Sequence, residues 1–396
     1  MERIGIYGGT FNPPHVGHMT AARQVIKLLR LDKLFLIPTR IAPHKSLPEN
    51  SPTPEQRLEM LTVASADISQ AEVLDLELRR EGPSYTYLTV DALKQRYPQA
   101  QLVLVMGTDM FLSFEAWKNW QWLMKNVTLA VLYRGQRGEQ AAIREKRDTL
   151  CAQGAQVELV ENQVTAISST DLRRMLIFGC AAPFLPDGVL DFIGDKGLYN
   201  VRKNLRKLPV EQLEQVVISL LKPGRVAHVL GCRDTAVELA KRWGADPTDA
   251  ARAGILHDIT KALDGPLQLT LCQEHGIILD VFSKQNPKVL HALTGSVVAD
   301  RIFGENEAVV AAICHHTTGR AGMSLLEKII YVADYMEPNR DFPGVEEMRR
   351  LAFSDLDGAL RLGLEMTVSI LRTNGAQISA ASLEALEYLN QHLPAN

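Results

Sequence analysis

Two histidines, His15 and His18, lie three residues apart just after a glycine-rich turn. The turn reads G-G-T-F-N-P-P over residues 8–14 and follows an apolar stretch at residues 4–7. Glycines let a ligand approach the backbone, and prolines stiffen the loop. The helical pattern from Met19 to Leu31 puts both imidazoles on one face of a first turn, where free N–H groups and the helix dipole favour an anion. These features suit transfer of a phosphorylated group, in which negative charge builds on the phosphorus oxygens.

A simpler interpretation of this segment is a tight turn followed by two histidines that cap a helix. The sequence has neither the lysine of a Walker A loop nor a G-x-G-x-x-G pattern. Their absence counts against a P-loop hydrolase and against a dehydrogenase.

Two later segments fall where strands are expected to end. Residues 37–45 carry the cations Arg40 and Lys45, although solvated loop charges would explain them equally well. Gly107 would admit a ligand close to the backbone and Asp109 could accept a hydrogen bond from a sugar hydroxyl, unless the pair forms only a turn.

A third segment reads I-S-S-T-D-L-R-R over residues 167–174. Its hydroxyl residues could simply cap a helix. Together, Ser169, Thr170 and Arg173 would instead form a second anion cradle.

The second half of the chain carries a set of imidazoles and carboxylates. The set comprises His228, His257, Asp258, His291, His315, His316 and Asp334, with Lys261 nearby. Both His257-Asp258 and Asp334 follow apolar runs, and buried charges need partners. A divalent ion such as iron or manganese satisfies several such groups at once, and no cysteine joins the set as a structural zinc site would require. The alternative is a group of unrelated core histidines.

The elements that must position these residues differ between the two halves. In the first half, short apolar runs alternate with helical patterns, which predicts an α/β doubly wound parallel sheet with ligands at the carboxyl ends of its strands. The expected strands are Ile4–Tyr7, Lys33–Ile37, Val73–Leu76, Leu102–Met106, Val127–Tyr133 and Val157–Leu159, and the expected helices are Thr20–Leu31, Pro54–Ala66, Thr86–Arg96 and Gln140–Gln153.

A basic stretch with little apolar content, Gly194–Pro209, suits a linker. Helical periodicity dominates after it, from Val210 to Leu393, and predicts an all-α domain. The expected domains are residues 1–203 and 204–396.

Bulk properties narrow the class of protein. At 396 residues two or three domains are expected. The net charge of −3 gives no drive toward nucleic acid or an anionic membrane. Five scattered cysteines without a C-x-x-C pair, and no evident export signal, indicate a cytosolic protein. The oligomeric state, including a homo-oligomer, stays open.

The first-half motifs resemble bacterial nicotinate-mononucleotide adenylyltransferases, members of a nucleotidyltransferase superfamily with a Rossmann-like fold. The motifs are G-G-T-F-N-P-P-H-x-G-H, the loop ending in His44-Lys45, Gly107-x-Asp109 and I-S-S-T-x-x-R. The resemblance covers about residues 1 to 200. It implies that ATP and nicotinate mononucleotide give deamido-NAD and pyrophosphate without a covalent intermediate, with Mg²⁺ carried mainly by the phosphates.

The same resemblance implies a role for each matching residue. His15 and His18 would neutralise the region of the α-phosphate. The remaining assignments are Gly8, Gly9, Thr10 and Phe11 in the ATP loop, Ser169, Thr170 and Arg173 at the outer phosphates, Gly107 and Asp109 at the ribose, and Lys45, Thr86 and Trp117 at the mononucleotide. One departure from the family is Arg40, where relatives often carry a small amide residue.

The second-half motifs resemble HD-domain phosphohydrolases that cleave diadenosine tetraphosphate symmetrically to two ADP. They are A-G-I-L-H-D-I-T-K, I-C-H-H-T-T-G-R and I-I-Y-V-A-D-Y-M-E-P-N-R, within about residues 209 to 393. The resemblance implies a metal, iron by expectation, and a water acidified by it that attacks the central phosphoanhydride. The implied metal ligands are His228, His257, Asp258 and Asp334, the implied groups for phosphate or a second metal are His291, His315 and His316, and the implied polyphosphate cations are Lys261 and Arg340.

The sequence therefore predicts a fusion of two enzymes. A competing hypothesis keeps the first enzyme and makes the second half a nucleotide-binding regulatory module. A third lets the HD half act on another phosphoester.

Overall fold

A computed structural model describes residues 1–43, 47–48, 51–133, 137–162 and 167–392. The chain divides into two compact units. The N-terminal unit comprises Met1–Ile177 and Ala181–Arg202, and the C-terminal unit comprises Phe178–Cys180 and the residues from Lys203 onward.

The N-terminal unit is built on one parallel sheet of six strands in the order β3-β2-β1-β4-β5-β6. The strands are β1 Arg3–Gly9, β2 Lys33–Pro38, β3 Ala71–Val73, β4 Gln101–Gly107, β5 Thr128–Tyr133 and β6 Gln156–Glu161. The helices are α1 Val16–Leu28, α2 Pro54–Ala64, α3 Thr86–Arg96, α4 Thr108–Leu112, α5 Trp120–Asn126, α6 Arg137–Ala152, α7 Ser169–Ile177 and α8 Val189–Lys196.

The central strands explain why this sequence forms a covered sheet. They are near-continuous apolar runs, and Ile4, Phe35, Leu104 and Leu129 are all buried in one core, as in a parallel sheet with helices on both faces. Strand order reverses between β1 and β4, which lie side by side. Ligands of such sheets bind at the carboxyl ends of the strands flanking this reversal. The reversal therefore places the ends of β1 and β4, Gly9 and Gly107, at the expected binding crevice.

The predicted fold class is confirmed, with two local differences. Strand β3 covers Ala71–Val73 and ends where the prediction for it began. The first part of the expected linker is ordered structure: α8 runs to Lys196 and a 3-10 turn follows at Leu198–Asn200. Tyr199 in that turn is 7% exposed, and its hydroxyl donates to Asn12 Oδ1 over 2.7 Å.

Every regular element of the C-terminal unit within the described residues is a helix. Its helices are α9 Val210–Leu220, α10 Val226–Trp243, α11 Pro247–Leu256, α12 Gly265–Glu274, α13 Val281–Gln285, α14 Leu290–Val298, α15 Glu307–His315, α16 Leu325–Met336, α17 Val345–Ala352, α18 Leu356–Thr373 and α19 Ala380–His392. None of the helices within the described ranges has the length and apolar character needed to cross a membrane.

Helices α10, α11 and α16 pack together at the centre of this unit. Ile255, Ile329 and Ile330 are fully buried there. Close approach of α10 and α11 depends on Gly254, because a Cβ at that position would lie 2.7 Å from the Cα of Arg233. This packing brings the first turn of α10, the end of α11 and the last turns of α16 to one place.

Candidate active sites

The turn between β1 and α1 forms the first candidate site, and four of its carbonyl groups are held by donors from other elements. Four hydrogen bonds do this: Thr39 N to Gly9 O at 2.9 Å, Arg57 Nη1 to Thr10 O at 2.7 Å, Arg173 Nη1 to Asn12 O at 2.7 Å and Ser169 Oγ to Pro13 O at 3.2 Å. With these four carbonyl oxygens engaged by the protein, the N-terminus of α1 and the histidines beside it are the groups suited to an anion. We call residues 8–15 the phosphate loop.

The two histidines of the loop stack against each other at the start of α1. Their ring centroids lie 3.6 Å apart with a 32° tilt, and the His15 backbone N–H donates to His18 Nδ1 over 3.2 Å. Because His18 Nδ1 accepts this bond, the neutral ring carries its proton on Nε2 and can donate from there. The Phe11 ring supports it edge-on at 5.0 Å.

Burial keeps both imidazoles neutral near pH 7. Burial lowers the pKa of His15 to about 4. Burial and the neighbouring His15 hold the pKa of His18 well below its ordinary value.

The structure brings the third predicted segment to the phosphate loop. Ser169 and Thr170 begin α7, and Arg173 lies one turn further along the same helix. Besides its bond to Asn12, Arg173 donates through Nη2 to Thr170 Oγ1 over 3.1 Å. The segments G-G-T-F-N-P-P and I-S-S-T-x-x-R therefore meet, as a shared phosphate site requires.

The other predicted residues line the same edge of the sheet without a direct bond to this loop among the described residues. Gly107 ends β4 and Asp109 is exposed on α4. Thr86 begins α3, and Trp117 is half-buried with its ring 5.6 Å from that of Phe114. Lys45 and its neighbour His44 lie outside the described residues.

The Arg40 guanidinium is hydrogen-bonded to backbone carbonyl groups of the protein. Its Nη1 donates to the carbonyl oxygens of Leu78 and Arg80 at 3.2 and 2.9 Å. Sequence reasoning missed Arg57, Asn12 and Tyr199 as parts of this site. A feature of the sequence that could have indicated Arg57 is its charge at a position of α2 that faces the core.

The second candidate site lies where α10, α11 and α16 meet. Two groups have ligand atoms close enough to share an ion, His228, His257 and Asp334, and His257, Asp258 and His316. His228 Nε2 lies 3.1 Å from both His257 Nε2 and Asp334 Oδ1. Nε2 of His291 and Nε2 of His316 lie 3.2 Å apart on the other side.

Asp258 stands between the two histidine pairs. Its Oδ2 lies 3.6 Å from His228 Nε2 and 3.5 Å from His257 Nε2. Its Oδ1 lies 3.3 Å from His291 Nε2 and 3.8 Å from His316 Nε2, yet this buried oxygen accepts no hydrogen bond. A buried carboxylate oxygen without a donor, facing imidazole nitrogens, fits a divalent cation. The site thus suits one or two ions with Asp258 shared.

Each imidazole of the cluster is oriented through its other nitrogen. Nδ1 of His228 lies 3.1 Å from Glu337 Oε1. The Nδ1 atoms of the other three rings face carbonyl oxygens: His257 faces Gly254 O at 2.7 Å, His291 faces Lys288 O at 2.8 Å and His316 faces Ile313 O at 2.7 Å. Such partners fix the tautomer and aim Nε2 at a metal. Glu337 was missed by the sequence analysis, although it lies one helical turn beyond Asp334.

The pKa shifts match a cation site. Burial raises the pKa of Asp334, but the hydrogen bond with His228 and nearby positive charge outweigh it and leave that pKa well below the ordinary range. Burial and neighbouring histidines lower the pKa of His316 to about 3. Burial lowers the pKa of His257, but Cys232 and Asp258 outweigh it and raise the value, so loading with a cation would release a proton there.

Three cations border the cluster. Arg225 Nε donates to Asp258 Oδ2 over 2.5 Å, Arg340 Nη2 donates to Asp334 Oδ1 over 2.6 Å, and Lys261 Nζ lies 2.9 Å from His291 Nε2. Arg225 adds to the two cations expected from the sequence.

His315 is not among the residues that the structure brings to the cluster. Its Nδ1 lies 2.7 Å from Glu327 Oε1. The same oxygen accepts from Arg320 Nε, also at 2.7 Å. His315 therefore stabilises the end of α15, while its neighbour His316 faces the cluster.

Comparison with known families places these two sites in two classes of enzyme. A cytidylyltransferase-like family model matches residues 6–175, and an HD-domain model matches residues 225–339. The chain is thus a nucleotidyltransferase domain followed by an HD domain, as the motifs indicated.

Curated relatives identify the enzyme family of each half. A probable nicotinate-nucleotide adenylyltransferase of Pseudomonas syringae pv. tomato is 36% identical over 210 residues, covering 50% of this chain and 94% of the relative. A symmetrical bis(5'-nucleosyl)-tetraphosphatase of Halalkalibacterium halodurans is 44% identical over 158 residues, covering 40% of this chain and 84% of the relative. The chain belongs to the nicotinate-nucleotide adenylyltransferase family in its first half and to the symmetrical bis(5'-nucleosyl)-tetraphosphatase family in its second.

Among solved structures, a protein described as a predicted HD superfamily hydrolase involved in NAD metabolism, from Clostridium acetobutylicum, is 37% identical to this chain. The match covers 47% of this chain and 99% of the other protein's chain, with a TM-score of 0.46.

Proposed function

We propose that the N-terminal unit transfers the adenylyl group of ATP to nicotinate mononucleotide, giving deamido-NAD and pyrophosphate. The observation that carries the proposal is the phosphate loop, where four carbonyl groups accept hydrogen bonds from three other parts of the unit and two stacked imidazoles lie at the start of α1. The named activity of the relatives over this half supports it.

The residues of this site would act by position and charge. The mononucleotide phosphate attacks the α-phosphorus of ATP, and pyrophosphate leaves. The Nε2–H of His18 would donate to a non-bridging oxygen as charge builds there, and Ser169, Thr170 and Arg173 would hold the departing phosphates. Mg²⁺ bound to the phosphates would add further charge neutralisation.

We propose that the unit prefers the acid over the amide mononucleotide, and the N-terminus of α3 supports this preference. Thr86 begins this helix, and a helix N-terminus with its free N–H groups favours a carboxylate over a neutral amide. We expect a higher kcat/KM for nicotinate mononucleotide than for nicotinamide mononucleotide, measured as pyrophosphate release. The reverse preference would refute the assignment of the acid.

For the C-terminal unit, the proposed reaction is hydrolysis of diadenosine tetraphosphate to two ADP at a divalent ion, for which iron is the proposed identity. His228, His257, Asp258 and Asp334 would hold the ion, and His291 and His316 would hold a second ion or a phosphate. The ion would lower the pKa of a water molecule. The observation that carries this proposal is the buried Asp258 Oδ1, which accepts no hydrogen bond. Lys261, Arg225 and Arg340 would neutralise the polyphosphate.

Two variants of the full chain separate metal binding from catalysis. Asp258→Asn should deplete the metal and abolish hydrolysis, because Asp258 faces both histidine pairs. Lys261→Ala should keep the metal and slow hydrolysis, because the ammonium would meet phosphate. His392→Ala, whose imidazole Nδ1 bonds to the Tyr388 carbonyl oxygen on α19, is the control.

The measurements are elemental analysis of the purified protein and separation of the nucleotide products. Two ADP per substrate support symmetrical cleavage, whereas ATP and AMP would contradict it. A fully metal-loaded protein without activity on dinucleoside polyphosphates would overturn the hydrolase assignment in favour of a regulatory module.

A further inference from the structure

Arg57 on α2 is a fully buried cation without a matching carboxylate. Its side chain is among the largest fully buried ones, and it forms no ion pair with any carboxylate of the described residues. Nη1 donates to Thr10 O and Nη2 to Thr39 O, both over 2.7 Å. Its Nε is buried and has no hydrogen-bond partner. Burying a charge with incomplete pairing is unfavourable.

The two carbonyl groups held by Arg57 belong to two different loops. Thr10 lies in the phosphate loop after β1. Thr39 follows β2 directly and opens the segment that continues toward residue 45. Thr39 also donates through its backbone N and its Oγ1 to Gly9 O, at 2.9 and 3.2 Å. Arg57 therefore closes a ring of hydrogen bonds that joins these two loops at adjacent residues.

This ring also sets the direction of a backbone donor. In a planar trans peptide the C=O and the following N–H point in opposite directions. With Thr10 O bonded to Arg57, the N–H of Phe11 points away from α2. A guanidinium suits this task because its planar fork reaches two acceptors at once and never loses its charge.

We propose that Arg57 is a positioning residue for adenylyl transfer. It fixes the phosphate loop relative to the loop after β2, and its permanent charge lies behind the phosphate loop, where it favours a bound polyphosphate. The inference rests on the proposed adenylyltransferase function, in which the first loop binds ATP and the second leads to the mononucleotide.

The test compares Arg57→Ala and Arg57→Lys with Arg3→Met in the full chain. Arg3 is the matched control, since it also donates to a backbone carbonyl, Leu29 O at 2.6 Å, but at the opposite end of β1. Both Arg57 variants should lower kcat/KM for pyrophosphate release by about 100-fold, the effect of misplacing reacting groups by about 1 Å. Most of the loss should fall on kcat. Millimolar guanidinium ion should partly restore Arg57→Ala and leave Arg3→Met unchanged.

A second readout does not depend on the product. Calorimetric titration with MgATP alone should show weaker binding in both Arg57 variants and wild-type binding in Arg3→Met. If the folded Arg57 variants keep wild-type kcat and MgATP affinity and lose only thermal stability, the role is structural and the inference is wrong.

Should Arg57→Ala fail to fold, Arg57→Lys decides by the same two measurements. A wild-type chain that binds MgATP but forms no dinucleotide would refute the proposed function. The MgATP affinities of the variants would still decide whether Arg57 positions the phosphate loop.

Discussion

Burial and mutual stacking define the chemical state of His15 and His18. Neutral imidazoles do not attract a polyphosphate as cations would, but they can donate hydrogen bonds that strengthen as charge develops on the transferred phosphorus. The loop thus favours the transition state over the ground state, which is what raises kcat.

Replacing His18 with alanine tests this donor. His18→Ala should lose roughly 3 kcal/mol of transition-state stabilisation, the typical effect of removing one preorganised donor. His18→Gln is the matched variant, because its amide nitrogen can stand near the position of Nε2, and it should retain more activity than His18→Asn. Steady-state pyrophosphate release measures all three. Unchanged turnover in His18→Ala would exclude the proposed role.

The lowered pKa of His15 predicts a pH dependence of stability. The folded value is about 4, and the unfolded value is about 6.5. Between these values the unfolded chain binds more protons, so the free energy of unfolding falls as pH drops from about 6.5 toward about 4. His15→Gln should reduce this dependence, measured by urea unfolding at pH 7.5 and pH 5. A His15 imidazole signal that titrates near pH 6.5 by NMR would contradict the prediction.

At the scale of elements, the second site forms where a glycine permits the close approach of two helices. The position of Gly254 on α11 sets the distance to α10, and the carbonyl of Gly254 also orients His257. The packing of these two helices and the geometry of the metal cluster are therefore linked.

Gly254→Ala should damage that cluster without touching a ligand. The added Cβ would meet the backbone of Arg233 at 2.7 Å, which cannot yield as a flexible side chain can. We expect a loss of about 1–3 kcal/mol of stability, together with weaker metal retention, because His228 and His257 move apart. Gly194→Ala is the control, since a Cβ there has open space. Thermal unfolding and elemental analysis measure both effects, and full metal retention in Gly254→Ala would show that the helices tolerate the shift.

The sequence predicts elements better than it predicts which neighbour of a pair faces a site. Continuous apolar runs located β1, β2, β4 and β5, because buried parallel strands need such runs. His315 and His316 could not be separated, because adjacent residues on a helix point in directions about 100° apart and only the packing of α15 decides which one faces inward. Arg57 and Tyr199 act through contacts with residues distant in sequence, and no local pattern reveals such contacts.

At the scale of the whole molecule, two families with separate chemistries are joined in one chain. The compact units meet in sequence at Arg202 and Lys203, except that Phe178–Cys180 belongs with the C-terminal unit. Within that unit, His275 Nε2 donates to Phe178 O over 2.9 Å. The proposed boundary after residue 203 differs from this division by Lys203 and by the segment Phe178–Cys180.

Cutting the chain at this boundary should give two folded proteins, of which only the second is less stable than the same unit in the full chain. Residues 1–203 should keep adenylyl transfer, because the whole phosphate loop and its partner Tyr199 lie within them. Residues 204–396 should keep the metal and the hydrolase activity but unfold at a lower temperature than the same unit in the full chain, because His275 loses its acceptor at Phe178. Calorimetric unfolding of both pieces and of the intact protein measures this difference. If both pieces are insoluble while the full chain is stable, the halves share a core and the proposed boundary is wrong.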